Sequence, residues 1–73
     1  MRYEKLKTRI AEYKKIVNIE DIIAKIREDF NDARKDREEL IDLMFICDHL
    51  HWNTEGELAE FYNNYKNAIK MYL

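Results

Sequence analysis

Apolar residues recur at steps of three and four along most of the chain, the spacing that gathers them on one side of an α-helix. Tyr3, Leu6, Ile10, Tyr13 and Val17, widened by Ile16, predict a first amphipathic helix. Asn18 interrupts it. The Asn18 side-chain oxygen can accept from the first free amides of a second helix, and Asp21 three positions later completes an approximate capping box. A helix from about Ile19 then turns Ile19, Ile22, Ile23, Ile26, Phe30 and Ala33 inward.

Residues 31–39 hold no large apolar side chain. Arg34 and Lys35 suit a helix C-terminus and Asp36 with Glu39 resembles another cap, which places a turn near residues 34–36, with one continuous helix as the alternative. Residues 40–50 read as a third helix. Its apolar members Leu40, Ile41, Leu43, Met44, Phe45, Ile46, Cys47 and Leu50 cover most of the circumference and leave Asp42 and His49 on a narrow polar arc. Such a helix must be surrounded by its own chain or meet a partner. Thr54 and Glu57 have capping-box spacing, after which Leu58, Phe61, Tyr65, Ala68 and Tyr72, broadened by Tyr62 and Ile69, predict a fourth helix. The expected fold is all-α: one small bundle of about four short helices, with residues 1–73 as a single helical domain.

Composition agrees with this reading. The 73 residues include one Gly and no Pro, so the punctuation of hairpins and phosphate-cradling loops is nearly missing. A core this small rarely supplies more than about 3 to 5 kcal/mol unaided, which makes self-association or docking on a larger protein an expectation. The apolar run 43–47 ends at Asp48, far short of the roughly 18 residues of a membrane span. No leader pattern opens the chain and the lone Cys47 has no intramolecular partner, so the expected compartment is the cytoplasm.

The net charge of −2 is unevenly spread. Residues 1–18 carry six basic side chains (Arg2, Lys5, Lys7, Arg9, Lys14 and Lys15) against two acidic ones, whereas the rest of the chain is acidic. An acidic body is a poor stand-alone binder of phosphates. The six cations are therefore expected either to form a solvated face or to lie near nucleic acid held by a partner.

The segment 47–51 invites a metal or thiol reading, but on a helix His49 and His51 point about 200° apart. Cys47, His51 and Glu55 share a face without the fourth ligand of a structural zinc site. Cys47 lies mid-helix among apolar neighbours, where a thiol is a poor nucleophile. No metal, no cofactor and no enzymatic activity are expected.

Asp48 is more informative. Its helical neighbours at three and four positions are Met44, Phe45, His51 and Trp52, which set a carboxylate within an apolar and aromatic arc. One reading pairs it locally with His51 or an amide of the following turn; the other has it accept a cation from another protein, with Met44, Phe45, His51 and Trp52 as its frame. Trp52 and Tyr62 are the candidate surface anchors among the aromatic residues, while Phe61 and Tyr65 are assigned to the core.

Ile10, Tyr13 and Ile16, then Asn18-Ile19-Glu20 with Ile22 and Ile26, then Glu39-Leu40 and Asp48-His49 together resemble the haemolysin-expression-modulating (Hha/YmoA) family of small helical regulators. The resemblance spans residues 10–49. The connection after the second helix is about two residues longer here, and the chain from Leu50 onward, including Trp52, does not follow the family pattern. What the resemblance implies is a non-enzymatic co-regulator that binds a histone-like nucleoid-structuring protein through Asp48 and reaches DNA through that complex.

The expected function is thus regulation by protein–protein binding, modulating transcription or another nucleic-acid-handling machine. Two alternatives are an inhibitor of a host protein encoded by a mobile element, and a homo-oligomeric bundle that buries the third helix between copies.

Overall fold

The computed structural model describes residues 2–73, with the side chain of Arg2 outside the described part. Four helices follow in order: α1 (Arg2–Lys14), α2 (Ile19–Ala33), α3 (Arg37–Trp52) and α4 (Glu57–Lys70). The all-α bundle predicted from periodicity is the architecture observed.

Local chemistry explains most helix boundaries. Asn18 leaves the helical conformation and its Oδ1 accepts from the Glu20 amide at 2.8 Å. Asp36 does the same for α3, accepting from the Glu38 amide at 3.0 Å, so the chain breaks between α2 and α3 where the turn was expected. The expected Thr54 cap is not formed. Gly56 is the N-cap residue of α4, with φ of 71°, and Thr54 instead donates its hydroxyl to the Leu50 carbonyl at 2.7 Å. Thr54 thereby closes the end of α3.

α3 is the central element, packed against each of the other three helices and most extensively against α4. The chain itself thereby covers most of that apolar circumference and leaves Phe45 exposed. Leu43, Ile46, Cys47 and Leu50 of α3 meet Tyr13, Ile22, Ile26, Tyr62 and Ile69 in the core. Asp42, read from the sequence as solvent-facing, is buried because α3 is covered on several sides. Among the described residues no buried side-chain nitrogen or oxygen lacks a hydrogen-bond partner, as the cost of desolvating a polar group requires.

Some expected core positions lie outside it. α1 ends at Lys14, so Val17 sits in the connection and is 97% exposed. Ile19 opens α2 before that helix reaches its neighbours and is exposed. Along α4 the buried line runs through Tyr62 and Ile69; Phe61 and Tyr65 are half-buried at its flank, while Ala68 and Tyr72 are exposed. Tyr62 sets this rotation: its ring meets Tyr13 of α1 edge-on, centroids 6.4 Å apart at 83°, a favoured aromatic geometry.

Candidate partner-binding site

α1 is tied to the start of α3 by charge. Glu39 takes Lys5 Nζ at 2.9 Å and Arg9 Nη1 at 3.4 Å on its two carboxylate oxygens. Arg9 also approaches Asp29 of α2 at 3.9 Å, and Asp29 accepts the hydroxyl hydrogen of Tyr13. Burial and this acceptor both push the Tyr13 phenol upward from its ordinary value, so it stays a protonated donor and locks α1 to α2.

On the other flank of α1 an open groove of about 820 Å³ separates it from α3. Tyr3, Leu6 and Ile10 form one wall and Phe45 and Trp52 the other, above Ile46. Tyr3 is 70%, Phe45 52% and Trp52 75% exposed. Three large apolar side chains around one concavity are what a binding surface looks like on a small protein. Lys7 and Lys14 stand on the α1 rim, Asp48 and His49 on the α3 rim.

Asp48 finds its cation within the chain. Lys66 of α4 donates from Nζ to Asp48 Oδ1 at 3.0 Å. The Lys66 hydrogen bond, its charge, the Trp52 indole donor and the His51 ring together hold the carboxyl below the usual carboxylate range, against an opposing effect of desolvation. Neither sequence reading of Asp48 named this partner: its pairing is with Lys66 more than with His51, because the approach of α4 brings a lysine 18 residues away to one carboxylate oxygen, and the side chain keeps 43% exposure. His51 faces elsewhere: its Nδ1 lies 2.8 Å from the Ala59 carbonyl, an acceptor, so that nitrogen carries the proton and donates.

The other candidate residues divide. Phe45 and Trp52 belong to the groove, and Met44 is half-buried against the core. Tyr62 is buried and is no surface anchor; burial pushes its phenol up to about 12. The basic residues form two rows and no single patch. Lys5 and Arg9 are consumed by Glu39, Lys7 and Lys14 face the groove, Lys15 is exposed just beyond α1, and the Arg2 side chain lies outside the described part. Tyr3, Leu6 and Ile10 line the groove, although their spacing alone predicts only a core stripe. The signal was present in the Lys7 and Lys14 positions beside that stripe, which leave one flank of it cationic.

Cys47 is buried and its thiol is pushed up to about 12 by that burial, which leaves almost no thiolate near neutrality. Among the described residues no three His, Cys, Asp or Glu side chains are grouped to hold a metal ion, and no helix is long and apolar enough to cross a membrane. Comparisons with protein families, with curated proteins and with solved structures find no match to this chain.

Proposed function

We propose that this protein is a non-enzymatic regulator that works by binding another protein in the groove between α1 and α3. The observation that carries this reading is the joint exposure of Tyr3, Phe45 and Trp52 around one concavity. A chain that buries Tyr13 and Tyr62 completely leaves its only tryptophan in water, and tryptophan is the residue most enriched at binding hot spots. Asp48 serves the site indirectly in this reading: with its charge offset by Lys66, it stands on the groove rim beside Trp52. The resemblance to the haemolysin-expression-modulating regulators over residues 10–49 supports a cytoplasmic partner that handles nucleic acid, with transcription as the process modulated. Leu43, Ile46, Cys47 and Leu50 of α3 are already buried within its own chain, and the part left exposed, Phe45 and Trp52, lines the groove, which favours this reading over a bundle that hides the whole of α3 between copies.

The test replaces Phe45 with a photo-crosslinking residue and captures from cells, with Trp52→Ala in the same background and Val17→Ser as a surface control. A cross-linked protein that disappears with Trp52→Ala and persists with Val17→Ser is expected. Cross-links indifferent to Trp52 would remove the groove from the proposal.

A further inference from the structure

The two walls of the groove share one period. On α1, Tyr3 and Ile10 are seven residues apart, as are Lys7 and Lys14; on α3, Phe45 and Trp52 repeat the same spacing. Seven residues are two helical turns, about 10 Å, and matched two-turn repeats on facing walls are the complement of a third helix with apolar residues at heptad spacing. An extended peptide, with its two-residue side-chain alternation, has no such match.

The charge on the rims then limits what that helix carries. Among the described residues no ion pair involves Lys7 or Lys14. Lys7 only overlies the Tyr3 ring at 5.7 Å. Lys5, Arg9, Lys25 and Lys66 find carboxylates; several other cations among the described residues do not, and what distinguishes Lys7 and Lys14 is that they line the groove. The carboxylate on the opposite rim, Asp48, is held by Lys66. The groove therefore presents two uncompensated cations beside its apolar floor. A second copy of the chain, docked groove to groove, brings the same two lysines and the same neutralised Asp48, and supplies nothing for them.

Resting on the protein-binding reading above, we infer that the occupant of the groove is an acidic amphipathic helix of another protein. Its apolar heptad positions meet Tyr3, Ile10, Phe45 and Trp52, and its carboxylates, seven residues apart on one flank, meet Lys7 and Lys14. The apolar contacts supply most of the affinity. The two lysines set the orientation and select against basic helices.

Trp52, the single tryptophan, reports occupancy by its own fluorescence. The full chain is titrated with three synthetic helical peptides of about three heptads that share one apolar pattern and carry Glu, Gln or Lys at the flanking heptad positions. The Glu peptide is expected to bind most tightly. Replacing both lysines (Lys7→Gln with Lys14→Gln) is expected to weaken that peptide by about three- to tenfold, the size of two exposed ion pairs, and to leave the Gln peptide unchanged. Added salt is expected to erase the difference. Equal binding of the Glu and Gln peptides, abolished by Phe45→Ala, would overturn the acidic preference and leave the groove as a protein-binding site. No Trp52 response to any peptide would overturn both. A response that needs only higher protein concentration would assign the groove to a second copy. Tighter, lysine-dependent binding of a DNA duplex would assign it to nucleic acid, and either result would overturn the inference.

Discussion

Lys66 and Asp48 join α4 to α3 through a 3.0 Å ion pair in which the lysine is the more enclosed member, its side chain 16% exposed against 43% for the carboxylate. That asymmetry decides which half of the pair matters more. Removing Asp48 strands an ammonium in a partly desolvated place, whereas removing Lys66 returns a carboxylate to water. Asp48→Ala is expected to destabilise the fold by about 1 kcal/mol and Lys66→Met by less, since the Met side chain keeps the aliphatic packing of the lysine stem. Urea denaturation of the two variants checks the order; a larger loss with Lys66→Met would contradict it.

The same pair has a pH signature. Because Asp48 titrates below its unfolded value, the folded state binds that proton less readily than the unfolded chain does. Its contribution is therefore complete above the unfolded carboxyl pKa, about 3.9, and is lost as the pH falls through the lower folded-state value. Melting temperature followed from pH 5 downward, a range of about two pH units around and below that value, should fall less steeply for Asp48→Asn than for the unaltered chain. Superimposable acid limbs would show that Lys66 does not stabilise the carboxylate.

Two aromatic residues only ten positions apart should behave in opposite ways. Tyr62 is enclosed against Tyr13, so Tyr62→Ala is expected to cost about 3 to 5 kcal/mol, comparable with the whole stability of a domain this size. Trp52 is 75% exposed and its ring contact is with His51, at a centroid distance of 4.9 Å. Trp52→Ala is accordingly expected to cost under about 1 kcal/mol while removing partner binding. Circular dichroism melts separate the two outcomes, and unfolding of Trp52→Ala would make it a structural residue.

The contrast also shows what the sequence could and could not disclose. Helix number, the break at Arg34–Asp36 and the caps at Asn18 and Asp36 were all legible, because each follows from local chemistry within a few residues. The Phe45 and Trp52 half of the groove was legible too, since their spacing on α3 excludes them from a face already filled by Leu43, Ile46 and Leu50. What depended on the mutual rotation of helices was not. Tyr62 and Phe61 are adjacent and both suit a core; only the position of Tyr13 selects Tyr62. Asp42 and Asp48 both depart from their expected surroundings for the same reason. The polar arc of α3 is covered at Asp42, and the approach of α4 gives Asp48 a lysine that no spacing rule within α3 could predict.

Gly56 provides a last test of the local argument at the one place where it failed. Its backbone, at φ 71° and ψ −144°, lies in a region that side-chain-bearing residues rarely enter, while the space around a Cβ there is open. Gly56→Ala should therefore act through backbone strain alone, costing about 1 to 3 kcal/mol, and lower the melting temperature without a packing defect. Thr54→Val keeps the shape of the side chain but removes the hydroxyl that closes α3 onto the Leu50 carbonyl; about 1 kcal/mol is expected. If Thr54 were the cap of α4, its replacement would expose the first α4 amides, and amide hydrogen exchange at Gly56 and Glu57 would accelerate well ahead of the rest of the protein. With Gly56 opening α4, the amides at Leu58 and Ala59 should be perturbed by Gly56→Ala, and Thr54→Val should act instead on the last turn of α3.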